Sequence, residues 1–92
     1  MGVDMLDFSF RIEKSFGIKI VKTDYDRLPK RFAPGITAGD LHDWVVSLCK
    51  DRGMAVPWSS WTRVRIELAK TVGKPPQIIH RGTYIVGELG FS

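Results

Sequence analysis

The chain of 92 residues contains a single cysteine, Cys49, and lacks several features that would assign a class of protein at once. One thiol cannot form an intrachain disulfide, and it has no companion at metal-ligand spacing. No apolar run approaches the roughly 18 residues of a membrane span, and the N-terminus lacks a basic segment followed by an apolar one, as in a signal peptide. The sequence also has no glycine-rich phosphate loop. We therefore expect a cytoplasmic protein without a membrane partner, stabilised by packing alone.

The composition is that of a small globular protein, with 43% apolar and 26% charged residues. This length allows one domain, residues 1–92. The net charge of +4 would permit contact with nucleic acid or with an acidic protein surface. The candidate basic face consists of Arg63, Arg65, Lys70 and Arg81. These side chains are too few and too mixed with Glu67 to make nucleic acid the favoured partner.

The first predicted helix lies within residues 3–20 and carries an apolar stripe on one face. The stripe consists of Met5, Ser9, Ile12 and Phe16, with Leu6 and Phe10 flanking it. Asp4 and Asp7 lie in the first turn, where the helix dipole favours carboxylates, and Gly17 can end the helix in the left-handed conformation. The apolar face requires packing partners from the rest of the chain.

Two further helices are predicted at 36–53 and 61–72, with Gly53 and Gly73 as their stops. Thr37 followed by Asp40 is a variant of the capping box. The apolar positions are Leu41, Trp44, Val45 and Leu48 in the first of these helices, and Trp61, Val64, Leu68 and Val72 in the second. A short helical turn is expected near 23–28. The stretch from residue 74 onward reads as a long connection anchored in the core by Ile79, Ile85 and Leu89. The fold class is therefore all-α.

Four blocks of the sequence resemble the acyl carrier protein family, but in a different order. Residues 1–18, MGVDMLDFSFRIEKSFGI, align without a gap to the family's second helix, and ITAGDLHDWVV, at 36–46, resembles the segment that opens its last helix. WTRVRIELAKTVG, at 61–73, resembles the family's first helix, and GKPPQIIHRGTYIVGELG, at 73–90, resembles the loop that follows it. The half that comes first in the family comes last here.

The resemblance implies a small four-helix acyl-carrier-type bundle with circularly permuted topology. Residues 1–53 would correspond to helices II, III and IV, 54–60 to a linker, and 61–92 to helix I and its following loop. In such a bundle helix I runs antiparallel to helices II and IV, so a short linker can join the end of IV to the start of I. A domain-swapped homodimer, in which the C-terminal helix docks on a neighbouring chain, would give the same order.

The family carries acyl groups on phosphopantetheine, which is attached to the serine of an Asp-Ser-Leu motif at the start of helix II. In the alignment Gly2 occupies the serine position. Ser92, which follows ELGF, matches the family's aspartate, or the serine itself if one residue was lost. Phosphopantetheine is the cofactor that the resemblance implies, and Ser92 is the candidate attachment residue. The glycine favours a module that lacks the group.

Helix II of the family is read by synthase and transferase enzymes of fatty acid or polyketide biosynthesis. The matching positions in this chain are Val3, Asp4, Asp7, Phe10 and Glu13. Arg11 and Lys14 replace neutral or acidic residues, so partners that read an acidic helix should bind this one more weakly. The resemblance thus implies a non-catalytic carrier-like or interaction module. The alternatives are an active carrier, with its serine at Ser92 or upstream of Met1, and a small basic helical nucleic-acid-binding domain.

Other residue types that often carry chemistry are interpreted as structural or exposed. His42 and His80 are expected at the surface, because neither has a second ligand at metal spacing. Cys49 is interpreted as a small buried hydrophobe. The predicted positions of the tryptophans are the core for Trp44 and Trp61 and a partly exposed linker for Trp58. No Ser-His-Asp or Cys-His arrangement can be argued from spacing, so we expect no enzyme.

Overall fold

The structure, a computed structural model, describes residues 3–28 and 35–92. In these ranges the chain forms three α-helices, α1 (Val3–Phe16), α2 (Ala38–Asp51) and α3 (Ser60–Val72), and two 3₁₀ helices, Lys22–Arg27 and Pro76–Ile78. No β-strand occurs in the same ranges, where the β-type pairing is an isolated antiparallel bridge between Thr37 and Tyr84. The all-α class is therefore confirmed.

Helix α1 confirms the first predicted helix and its end at Gly17. Gly17 has φ of 68°, in the left-handed region that a residue without Cβ adopts at little cost. The buried residues of α1 are Met5, Phe8, Ser9, Ile12 and Phe16. Leu6 and Phe10, which flank the predicted stripe, are 47% and 62% exposed rather than packed in the core, whereas Phe8 is fully buried. Apolar residues lie on both sides of α1, and periodicity alone does not decide which side is packed.

Helix α2 begins at the predicted capping box. The Thr37 hydroxyl accepts a hydrogen bond from the Asp40 N–H at 3.1 Å, and the Asp40 carboxylate accepts one from the Thr37 N–H at 3.0 Å. All four predicted apolar positions, Leu41, Trp44, Val45 and Leu48, are buried. The helix ends at Asp51, two residues before Gly53, which has φ of 67°.

Helix α3 packs antiparallel against α1. The Arg63 guanidinium donates a hydrogen bond to the Ser15 carbonyl at 3.0 Å and lies 5.9 Å from the centre of the Phe16 ring, so the start of α3 adjoins the end of α1. Gly73, with φ of 70°, ends α3 as predicted. Since α3 begins at Ser60, the connection from α2 is residues 52–59 rather than the predicted 54–60.

The C-terminal segment, residues 79–92, packs over the start of α2. Its predicted core anchors Ile79, Ile85 and Leu89 are buried, as is Phe91. The Ala38 N–H donates to the Thr83 carbonyl at 2.9 Å, and the Gly39 N–H donates to the Arg81 carbonyl at 2.8 Å. First-turn N–H groups have no acceptor within their own helix, so the C-terminal segment supplies it. Residue 39 must approach closely, because a Cβ there would lie 2.9 Å from the Arg81 carbonyl oxygen.

All three α-helices and the C-terminal segment contribute to one apolar core. The radius of gyration of 12.0 Å agrees with that expected for one domain of this length. Within the described part of the chain, the helices are too short or too polar to cross a bilayer.

Candidate functional site

The outer face of α1 carries an exposed apolar strip formed by Val3, Leu6 and Phe10, called here the α1 strip. Their spacing of three and four residues makes them neighbours on the helix surface. Val3 is 79%, Leu6 47% and Phe10 62% exposed. Val3 and Phe10 were expected from the sequence to meet partners, and both are accessible. Adjacent exposed apolar side chains of this kind often mark a protein-binding site on a soluble domain.

A groove of about 750 Å³ lies beside the α1 strip and is bordered by α1 and α3. Its lining consists of Asp7, Phe10, Arg11, Glu13, Lys14, Ser15, Glu67 and Lys70. Acidic and basic side chains alternate there around one aromatic ring, Phe10. Pockets for small apolar ligands are instead enclosed by mainly apolar side chains. The groove therefore suits a polar segment of a protein partner better than an acyl chain.

Two of the predicted recognition acids, Asp7 and Glu13, have partners within the domain. Asp7 accepts a hydrogen bond from the Arg11 guanidinium at 2.9 Å, and this bond lowers the pKa of the Asp7 carboxyl. Glu13 accepts a hydrogen bond from the Ile20 N–H at 2.7 Å, which ties the exit from α1 back to the helix. These acids therefore help to hold the structure, and Arg11 and Lys14 offset their charge on the outer face of α1.

The third acid, Asp4, joins the start of α1 to Ser92. The Asp4 N–H donates to the Ser92 carbonyl at 2.9 Å, and the Ser92 N–H donates to the Asp4 carboxylate at 3.0 Å. At the start of α2, the Thr37 N–H likewise donates to the Asp40 carboxylate at 3.0 Å. In this carboxylate bond Ser92 takes the place that the N-cap Thr37 has relative to Asp40, although 88 positions separate Ser92 from Asp4 in sequence. The second bond differs, because the acceptor is the Ser92 carbonyl rather than a hydroxyl.

The serine residues differ in their accessibility to a modifying enzyme. Ser92 is exposed at the start of α1. Ser9 is buried, and its hydroxyl accepts a hydrogen bond from the Tyr25 hydroxyl at 2.9 Å. Gly2, at the position where the family has its attachment serine, lies outside the described residues. Ser92, the attachment residue named from the resemblance, is therefore accessible.

The structure contradicts the surface position predicted for His42. The residue is only 9% exposed, and its Nε2 lies 2.8 Å from the Ser60 hydroxyl while its Nδ1 lies 3.2 Å from the Asp43 carboxylate. The Trp61 ring meets the imidazole edge-on, and the Arg81 guanidinium lies 4.8 Å from the centre of the Trp61 ring. Ser60, His42 and Asp43 therefore form a chain of Ser-His-Asp contacts, which the spacing of these residues in the sequence did not reveal.

The geometry of this cluster favours a structural role over catalysis. A nucleophilic serine must reach a substrate, and donors must face the developing oxyanion. Ser60 is buried and is not among the residues that line the groove described above. Asp43 follows His42 directly on α2, and its side chain is 78% exposed. The hydrogen bond between His42 and Ser60 therefore ties α2 to the first residue of α3.

The sequence contains a signal for the burial of His42 that spacing analysis missed. His42 lies three positions before Val45 and seven before Cys49, and both of these residues are buried. A histidine on such an apolar face needs hydrogen-bonding partners, which here come from the following helix. The partner positions depend on tertiary packing, so they could not be read from α2 alone.

Several other predictions are confirmed and two are corrected. Cys49 is buried, and burial raises the pKa of its thiol. Trp44 is buried and His80 is exposed, as expected. Trp61 is only partly buried against the core rather than within it. Trp58 is 98% exposed, far more than the partial exposure predicted.

The basic side chains weighed as a nucleic-acid surface make separate contacts. Arg65 donates to the Pro76 carbonyl at 2.7 Å, Arg81 stacks on Trp61, and Lys70 lines the groove. Among residues 3–28 and 35–92, no cluster of three His, Cys, Asp or Glu side chains is placed to hold a metal ion.

Comparison with known proteins finds no matching family model, no matching curated protein and no matching solved structure.

Proposed function

We propose that this chain is a non-catalytic acyl-carrier-like interaction module with a circularly permuted bundle, in which the α1 strip binds protein partners. The proposal combines the sequence resemblance with three features of the structure. These are the meeting of Ser92 with the start of α1, the antiparallel packing of α3 on α1, and the exposure of the α1 strip.

The pair of hydrogen bonds between Ser92 and Asp4 carries the proposal. If residue 92 directly preceded Gly2, Asp4 would follow Ser92 by three positions. The bond from the Asp4 N–H to the Ser92 carbonyl would then be a first-turn bond, and the carboxylate bond would be half of a capping box. The C-terminal segment therefore leads into α1 as the family's first loop leads into its second helix. A permuted order of the same bundle explains this arrangement.

The packing of α3 on α1 supports the same order. The family's first helix runs antiparallel to its second. In this chain Arg63 joins the start of α3 to Ser15 near the end of α1, and Lys70 in the last turn of α3 lines the same groove as Asp7. Residues 52–59 join α2 to α3, and this length lies within the range usual for a connection between neighbouring helices.

The α1 strip supports partner binding of a weak, transient kind. Three exposed apolar side chains offer on the order of 300 Å². A stable complex buries roughly 800 Å² on each partner. Asp4, Asp7 and Glu13 form intramolecular hydrogen bonds. We therefore expect the partner to bind through apolar contact with Phe10 more than through attraction to these carboxylates.

We propose that the protein carries no phosphopantetheine, because Gly2, at the attachment position of the family, has no hydroxyl to accept the group. The test is the intact mass of the protein after incubation with coenzyme A and a phosphopantetheinyl transferase. We expect an unchanged mass. The exposure of Ser92 is the observation that favours the alternative, an active carrier. A gain equal to the prosthetic group, mapped to Ser92 by fragmentation, would establish that alternative and overturn our proposal.

A chain of altered order tests the permuted bundle directly. Residues 54–92 followed by residues 2–53 would restore the family's order by joining Ser92 to Gly2 and opening the exposed connection. We expect cooperative unfolding and a far-UV circular dichroism spectrum like that of the parent. In this reordered chain, Ser92→Asp with Gly2→Ser creates Asp-Ser-Val-Asp, and we expect it to accept phosphopantetheine while the reordered parent does not. An unfolded reordered chain would contradict the permuted topology.

Partner binding is tested by titrating the isotope-labelled protein with carrier-dependent synthases and transferases. We expect amide shifts along α1 that Phe10→Ala reduces at least about tenfold in affinity. The control is Ile78→Ala, which truncates a side chain that is 48% exposed on the second 3₁₀ helix. Shifts confined to other elements, or equal effects of the two variants, would contradict a role for the α1 strip.

A further inference from the structure

The connection between α2 and α3 exposes a tryptophan almost completely. Trp58 is 98% exposed, and Met54 in the same connection is 37% exposed. The sequence from Gly53 to Thr62, GMAVPWSSWT, contains no charged residue. Tryptophan is costly to leave in water and is enriched where one end of its ring meets an apolar phase and the other meets water. An uncharged loop that exposes such a residue is a candidate binding surface.

Positive charge is in excess around this loop. Lys50 is exposed in the last turn of α2, and the Arg63 guanidinium donates to the Ser59 hydroxyl at 3.1 Å. Lys19 is also exposed. It lies near the loop, because its carbonyl accepts a hydrogen bond from Arg52, the first residue after α2, at 2.8 Å.

The carboxylates at the same end are largely matched by cations. Asp24 pairs with Arg52 at 2.6 Å, and Asp51 pairs with Arg27. On the first 3₁₀ helix, Lys22 and Asp26 contribute opposite charges. Beside Ser60, the exposed Asp43 carboxylate next to His42 is offset by the Arg81 guanidinium, which lies 3.5 Å from the Nδ1 of His42. The three basic residues around the loop, Lys19, Lys50 and Arg63, therefore leave this end of the bundle cationic. A surface of this sign attracts an anionic partner.

We propose that the loop 53–59 attaches the domain to an anionic lipid surface, with Trp58 inserted at the headgroup level and Lys50, Arg63 and Lys19 facing the charged headgroups. Stable peripheral attachment to membranes combines an apolar anchor with basic residues, and both occur together at this end. The domain would lie on the bilayer rather than span it, so the proposal departs from the expectation of no membrane partner, which rested on the lack of a spanning segment. The inference does not depend on the carrier-like function, because the loop is at the opposite end of α1 from Ser92.

A bilayer fits this loop better than a protein surface does. The tryptophans that dominate protein interfaces lie near the centre of about 800 Å² of complementary surface on each partner. Met54 and Trp58 together present on the order of 300 Å². A lipid surface accepts an isolated protruding tryptophan without needing a complementary shape.

Co-sedimentation with vesicles tests the proposal. Vesicles of equal parts phosphatidylserine and phosphatidylcholine should bind the intact chain, and vesicles of phosphatidylcholine alone should bind it far less. Binding to the anionic vesicles should shift tryptophan emission to shorter wavelengths and should weaken with added salt. Trp58→Ala should reduce the partition coefficient at least about tenfold and abolish the emission shift. Circular dichroism should be unchanged, because the side chain is almost fully exposed.

Matched variants separate the loop from general charge. Ile78→Ala removes an exposed apolar side chain elsewhere and should leave vesicle binding unchanged. Lys50→Gln should weaken binding about fivefold, as expected for one basic residue at an anionic surface. Lys74→Gln removes the same charge beyond the far end of α3 and should have little effect. Equal binding of Trp58→Ala and the parent, equal effects of the two lysine variants, or no binding of the parent to anionic vesicles at low salt would overturn the proposal.

Discussion

The close contact at Gly39 makes a quantitative prediction about the docking of the C-terminal segment. In Gly39→Ala, the new Cβ would lie 2.9 Å from the Arg81 carbonyl oxygen, so backbone must move. Overpacking of this kind costs about 1–3 kcal/mol. The two hydrogen bonds from Ala38 and Gly39 to the C-terminal segment would weaken without breaking, at a combined cost of about 1 kcal/mol. Alanine recovers about 1 kcal/mol of helix propensity. We expect a net loss of about 2 kcal/mol in the free energy of unfolding.

The measurement is urea unfolding followed by far-UV circular dichroism, with thermal unfolding in parallel. A loss of this size should lower Tm by about 10 °C in a domain of this length. Gly82→Ala is the matched control, because a Cβ at residue 82 meets nothing within 4 Å. It should change stability by no more than about 0.5 kcal/mol. If Gly39→Ala is as stable as the control, the C-terminal segment does not approach α2 as described, and the position of Ser92 at α1 loses its support.

Three further predictions concern side chains with defined surroundings. Asp24→Asn should destabilise the domain by about 2–3 kcal/mol in urea unfolding, because it leaves the half-buried guanidinium of Arg52 without its carboxylate, whereas Asp51→Asn at an exposed ion pair should cost no more than about 0.5 kcal/mol. The hydrogen bond from Arg11 lowers the pKa of the Asp7 carboxyl, so it stabilises the fold at pH values above the pKa of this carboxyl in the unfolded chain, about 3.9. This contribution is lost as the pH falls through the folded-state pKa. Asp7→Asn should therefore remove a few tenths of a kcal/mol at neutral pH and make no difference well below pH 3, as measured by unfolding across that range. The buried thiol of Cys49, with its raised pKa, should react with a thiol reagent at pH 8 far more slowly in the native protein than in urea, and equal rates would show that it is accessible.

The sequence predicts the helices well because their signals are local. The capping box of Thr37 and Asp40 and the left-handed glycines at 17 and 73 act within a single turn, and the structure confirms each of them. The burial of Ile79, Ile85 and Leu89 is also predicted from the sequence, although the same stretch holds other apolar side chains, of which Phe91 is buried and Ile78 and Tyr84 are exposed.

The sequence fails where burial is decided by a distant element. On α1, Phe8 is buried and Phe10 is exposed, and both positions fit a helical repeat because the helix is apolar on two sides. Which of the two rings is buried depends on the side of α1 against which α3 packs. His42 is buried for a similar reason, since its hydrogen-bonding partner Ser60 comes from the next helix. An apolar side chain left outside the core has the same local signature as one within it, so a docking surface such as the α1 strip becomes visible only in the folded structure.

The bond between the Asp4 amide and the Ser92 carbonyl gives the domain a built-in reporter. Amide hydrogens of a first helical turn usually exchange quickly with solvent, because they lack acceptors in their own helix. The Asp4 amide should instead be protected for as long as the C-terminal segment stays in place. Its exchange rate therefore measures how often that segment detaches, a local opening that global unfolding experiments would not resolve.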